Sequence, residues 1–143
     1  MSAEQQAVTS FLKKNANDPE SYEPVRWSKP LVWTQEDENK LQVPALLDSS
    51  RRMKEKEALM YDLAKNAAER GFPDAKKYSA EWEAFSNKRI AVLKAAKELQ
   101  EKKDTTAVGK ILIHAFRAKN KMGALVLDSA QFVVFKNGQV KVI

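Results

Sequence analysis

The last 35 residues constrain this chain more than any other stretch. From Gly109 they read GKILIHAFRAKN, then KMGALVLDSAQFVVF, then KNGQVKVI. Three apolar, β-branched-rich runs are divided by Lys119-Asn120-Lys121 and by Lys136-Asn137-Gly138-Gln139. Apolar runs broken by short polar turns predict a β-meander. Asn137-Gly138 further predicts a two-residue type I′ hairpin, because that turn needs positive φ at both central residues. The runs Ile111-Leu112-Ile113, Ala124-Leu125-Val126-Leu127 and Phe132-Val133-Val134-Phe135 are continuous rather than alternating. A sheet with one wet face alternates, so these strands are expected to be covered on both sides. A helix would cover one face, and a helical hairpin or a partner chain the other.

The same segment holds most of the net charge. Residues 105–143 contain Lys110, Arg117, Lys119, Lys121, Lys136 and Lys141 against a single acid, Asp128, in a chain whose formal charge is +6. The remaining residues are close to neutral. A basic sheet of this kind suits an acidic protein or another polyanion.

Upstream, Ser2 and Gln5 fit a capping box at the start of a helix to about Asn15, with Val8, Phe11 and Leu12 as its apolar stripe. Asn17-Asp18-Pro19 ends it. SYEPVRWSKPLVWT, with two prolines and two tryptophans, predicts an interrupted or edge strand over residues 25–34. Residues 35–40 (QEDENK) read as a polar connector. Helical spacing follows over residues 44–70 and 74–104, with a stop at Gly71-Phe72-Pro73. Asp74 and Ser79 both fit as the second helix's cap. The connector is short enough to predict an antiparallel αα-hairpin with Leu63 and Trp82 near its seam.

The expected fold is therefore α+β: an N-terminal helix on a four-stranded antiparallel sheet, with a long αα-hairpin inserted between strands one and two. A chain of 143 residues reads as a single domain, residues 1–143, with residues 35–104 as the insertion. It is long enough to bury roughly 70% of its unfolded surface.

Little in the sequence points to catalysis. The chain has no cysteine, which removes disulfides, thiol chemistry and thiolate metal sites. No P-loop, GxGxxG, GxSxG or HExxH motif occurs. His114 is the only histidine and lies in an apolar run, the setting of a packed residue. Glu36, Asp37 and Glu38 lack the spacing and the glycine of a cation loop and read as a solvated linker. Glu81 and Glu83 read as a helix's exposed face. No catalytic residue, metal ligand or cofactor is assigned.

The sharpest binding feature is Arg117-Ala118-Lys119-Asn120-Lys121, where three cations run from a strand end into a turn. Alternate strand residues share a face, so Arg117, Lys119 and Lys121 form the candidate binding site for phosphates or an acidic partner. Lysines that keep a sheet edge soluble are the structural alternative.

Two blocks carry a resemblance. NDPESYEP after a short helix, and HAFRAKN followed by GALVL, resemble a group of small bacterial secreted or lipoprotein-type domains with no assigned activity. The resemblance covers about 40 residues. It implies an extracytoplasmic home and an α-then-antiparallel-sheet core, with the helical hairpin as an insertion. In that group the turn after FRAKN carries an aromatic and a glycine pair. Here it reads Lys121-Met122-Gly123-Ala124.

The N-terminus shows no basic start followed by an apolar core, so no signal peptide is visible. The expected location is periplasmic or secreted if a leader has been removed, and cytoplasmic otherwise. No apolar run reaches the ~20 residues of a membrane helix. The functional expectation is a non-catalytic binding or structural module acting through the basic turn, the helical hairpin or both. Homo-oligomerisation through the sheet or hairpin is compatible with it. The alternative is a nucleic-acid-binding protein using the basic sheet.

Overall fold

The computed structural model describes all residues from Met1 to Ile143. The class is α+β, with three α-helices and a five-stranded antiparallel sheet. Two compact units are built from the chain, one discontinuous (Met1–Gln35 with Thr105–Ile143) and one inserted into it (Glu36–Asp104).

The discontinuous unit begins with α1 (Ala3–Asn15). Ser2 and Gln5 close the expected capping box: Ser2 Oγ accepts from the Gln5 N–H at 3.2 Å, and Gln5 Oε1 accepts from the Ser2 N–H at 3.1 Å. A 3-10 turn at Pro19–Ser21 leads into β1 (Glu23–Trp27) and then β2 (Leu31–Thr34). The other strands are β3 (Ala107–Lys119), β4 (Leu125–Phe135) and β5 (Val140–Val142). The sheet order is β1-β3-β4-β5, and β2 pairs with the far end of β3.

The expected count of four strands is thus corrected to five. One interrupted strand at residues 25–34 is two short ones, β1 and β2, both laid along β3. Ser28-Lys29-Pro30 separates them. Proline cannot donate to a ladder, and Ser28 bridges the gap instead. Its N–H donates to the Ile113 carbonyl at 2.9 Å, and its Oγ accepts from the Ile113 N–H at 2.8 Å.

The core of this unit lies between α1 and one sheet face. Val8 packs with Leu112, Phe116, Phe132 and Val134, and Phe11 meets Phe132 edge-on at 6.3 Å. The opposite face buries Val133 completely. Coverage on both sides therefore holds at Val133 but fails at Ile113, which is 44% exposed, and at the β3–β4 end of the sheet. Leu125, Val126 and Leu127 are 50%, 44% and 59% exposed.

The Asn137-Gly138 turn also differs from expectation. Only Gly138 has positive φ, at 85°. Phe135 N–H donates to the Gln139 carbonyl, and Gly138 N–H donates to the Phe135 carbonyl, both at 2.9 Å. This is a three-residue loop, a type I turn closed by a left-handed glycine. The β3–β4 loop repeats the pattern with Asn120, Gly123 and Ala124. In each case the asparagine Oδ1 caps backbone N–H groups further along, which a type I turn permits without asking asparagine for positive φ.

In the inserted unit, α2 (Gln35–Glu69) and α3 (Ala75–Glu101) form an antiparallel hairpin. The connector expected at residues 35–40 is instead the first turns of α2, and Pro44 lies inside the helix. Glu36, Asp37 and Glu38 occupy the first turn, where carboxylates oppose the helix dipole. The Glu36 N–H donates to the Asp104 carbonyl at 2.8 Å, a backbone bond to the far end of the inserted unit. The turn at Gly71 closes with Phe72 N–H on the Ala67 carbonyl and Gly71 N–H on the Ala68 carbonyl, a Schellman motif. Asp74 is the α3 N-cap but makes no side-chain cap bond.

Tyr61 lies against Trp82 at 6.1 Å across the hairpin, and Ala67 and Ala96 are buried. Leu63 and Tyr78 share a small cavity beside the Gly71 turn. Arg89 reaches Glu57 with Nε at 2.6 Å and its second nitrogen at 3.4 Å.

Candidate functional site

The β3–β4 ladder determines what the three candidate cations see. Arg117 pairs with Leu127, and Lys119 pairs with Leu125. These four side chains share the face turned away from α1, since α1 packs on Leu112 and Phe116. Lys121 begins the following loop. All three cations are exposed. The structure thus groups them with an uncovered apolar row.

Long-range pairing also brings acids that the local sequence does not show. Glu23 lies opposite Arg117 on β1. Asp18 approaches Lys119 at 3.9 Å, with both side chains about half exposed. Exposed pairs at this distance are weak, yet they dilute the positive field of the turn. The charge count along residues 105–143 cannot reveal acids from the other end of the chain.

The outer edge of β4 is open over half its length. β5 pairs with Phe132–Val134 only, and Ile143 N–H adds one bond to the Gln131 carbonyl at 3.1 Å. In an antiparallel ladder successive residues bond to opposite sides. Gln131 and Phe135 bond outward, so Leu125, Leu127 and Ser129 turn their backbone groups outward too. Asp128 Oδ1 accepts the Ser129 N–H at 2.7 Å. No strand covers Leu125 or Leu127 on this side.

The two blocks NDPESYEP and HAFRAKN meet just behind this surface. Ser21 Oγ accepts the Lys119 N–H at 2.9 Å. Tyr22 and His114 join through Oη and Nε2 at 2.8 Å, and His114 Nδ1 lies 2.9 Å from the Arg26 carbonyl. A carbonyl only accepts, so Nδ1 carries the proton and Nε2 accepts from the Tyr22 hydroxyl. Trp27 stacks on the imidazole with centroids 3.4 Å apart, and Thr9 Oγ1 lies 3.4 Å from the Tyr22 oxygen. His114 is completely buried. Burial holds it below the ordinary imidazole pKa, with the Arg26 carbonyl partly opposing. Burial raises the Tyr22 hydroxyl, with Thr9 opposing. His114 is thus a structural tie between β1, β3 and the segment after α1. Phe116, on the face opposite Arg117, is buried in the core.

No group of three His, Asp or Glu side chains converges as metal ligands would. No helix is long and apolar enough to cross a membrane. No protein-family model, curated protein or solved structure matches the chain.

Proposed function

We propose that this protein is a non-catalytic binding module whose partner is an acidic, extended protein segment added to the open edge of β4. The observation that carries the reading is the coincidence of three features at residues 125–130. No strand pairs with this edge, Leu125, Val126 and Leu127 are exposed, and Arg117, Lys119 and Lys121 flank them. Strand addition takes affinity from main-chain bonds and specificity from alternate side chains. In a segment alternating acids with apolar residues, the acids would lie on the face of Arg117 and Lys119 and the apolar side chains beside Val126 on the other face.

Nucleic acid suits the surface less well. Stacking on bases needs exposed aromatic rings, and Phe116 and Trp27 are committed to the core and to His114. Asp18 and Glu23 also lie among the cations. The resemblance of the two blocks to secreted domains supports an extracytoplasmic setting.

A synthetic peptide alternating Glu with Val tests the reading. It should shift the amide resonances of Leu125 and Leu127 in a salt-sensitive titration. Leu127→Pro should abolish the effect while the β3–β4 ladder survives, because the lost N–H faces outward. Shifts confined to other strands, or equal binding by a Lys-Val peptide, would overturn the proposal.

A further inference from the structure

The two halves of α1 meet the sheet differently. Its C-terminal half carries Val8, Phe11 and Leu12, which fill the space over Leu112, Phe116 and Phe132. Its N-terminal half presents Ala3, Glu4 and Ala7 to Val32, Lys110 and Val134. These three residues are cross-strand neighbours on the α1 face, since Lys110 pairs with both Val32 and Val134. Alanines cannot fill what longer side chains fill one turn later. A cavity of about 310 Å³ remains between helix and sheet. That volume stands at the lower end of small-molecule sites, roughly 300–1,000 Å³.

The charges around the cavity are not balanced. Glu4 is the one carboxylate of its lining, and Lys110 Nζ holds it at 2.6 Å. Hydrogen bonding from Lys110 keeps that carboxyl ionised down to a pKa of about 2, so Glu4 and Lys110 neutralise each other. Lys136 also lines the cavity and has no carboxylate within ion-pair distance. The uncompensated charge beside an apolar chamber is therefore a cation.

We propose that this cavity binds a small aliphatic carboxylate, its alkyl chain against Ala3, Ala7, Val32 and Val134 and its carboxylate at Lys136. The chain would recover apolar burial that the alanines forgo. The head group would give Lys136 a charge-assisted partner. The site is separate from the open edge of β4 and does not depend on the strand-addition reading.

Calorimetric titration of the whole protein with octanoate, butanoate, octanol and octyltrimethylammonium tests both halves of the claim. Octanoate should bind more tightly than each of the other three. Lys136→Glu should weaken octanoate roughly tenfold and leave octanol unchanged. Ala7→Leu should fill the cavity and abolish octanoate binding. Should Ala7→Leu fail to fold, Lys136→Glu still decides, because Lys136 is an exposed loop residue. Butanoate matching octanoate would remove the apolar chamber from the argument. Octanol matching octanoate, an unaffected Lys136→Glu, or no octanoate binding at millimolar concentration would each overturn the proposal.

Discussion

Tyr22 gives its hydroxyl proton to Nε2 of His114, a partner 92 residues away, at 2.8 Å. The bond fixes the neutral imidazole in one tautomer and pins the entry of β1 to the middle of β3. Removing the hydroxyl leaves a buried acceptor unsatisfied. Tyr22→Phe should cost about 1–3 kcal/mol, readable as a lower midpoint in chemical denaturation. A neutral Tyr22→Phe would show that the pair is incidental.

The same geometry sets an acid limit. The folded state holds His114 below its ordinary pKa of 6.5. Below that value the unfolded chain therefore binds more protons than the folded one, and stability falls with falling pH. The His114 contribution should be complete above about pH 6.5. It should be lost progressively as pH drops toward the lower folded value. Thermal midpoints from pH 8 to pH 5 should show this step in the wild type and not in His114→Gln. An identical step in both proteins would assign it elsewhere.

Two glycines should respond differently to alanine. At Gly138 an added Cβ meets open space, and the penalty is only that of a left-handed backbone, about 1–2 kcal/mol. At Gly109 the Cβ would collide with the Val134 carbonyl oxygen inside the β3–β4 ladder. Backbone cannot step aside cheaply there, so Gly109→Ala should cost more than Gly138→Ala in the same denaturation assay. The reverse order would contradict the close approach.

In the helical hairpin, Glu57 and Arg89 are more sheltered than the surface pairs around Asp48, with side chains 14% and 26% exposed. Arg89 holds the Glu57 carboxyl below its usual pKa, chiefly by direct hydrogen bonding. Glu57→Gln should lower the thermal midpoint more than Asp48→Asn does, and the difference should persist in added salt, which screens the exposed Asp48 pairs more. Equal losses would mean that the inter-helix pair adds nothing beyond a surface pair.

Reversing Arg117, Lys119 and Lys121 to Glu together should leave the circular dichroism spectrum and cooperative unfolding intact. Exposed charges of this kind rarely contribute more than ~0.5 kcal/mol each. Wild-type retention on heparin resin should fall as salt rises, and the triple variant should not be retained. Absence of wild-type retention at low salt would leave these residues as solubilising charges only.

The sheet and helix pair were legible because their signals are local. The β-branched runs, the Ser2–Gln5 box and the Gly71 stop each act within a few residues. What the sequence hid depends on distant partners. The first turns of α2 looked like a linker because they are polar, and the Asp104 carbonyl that receives the Glu36 N–H lies far along the chain. The edge strand looked single because Ser28 makes its repair bonds to Ile113. The basic turn looked isolated because Asp18 and Glu23 return to it only through β1 and the 3-10 turn. His114 could be read as packed, but not as bonded at both nitrogens.

The backbone bond between Glu36 and Asp104 has a kinetic consequence. Pairing β2 with β3 from an unfolded chain means closing a loop of roughly 70 residues, with an entropic cost that grows with loop length. A preformed α2–α3 hairpin brings its own two ends to hydrogen-bond distance, so that most of this loop is already closed before the sheet assembles. The hairpin then serves as a folding clamp for strands it does not belong to. Helix-breaking substitutions near its Gly71 turn should slow refolding of the sheet more than they hasten its unfolding.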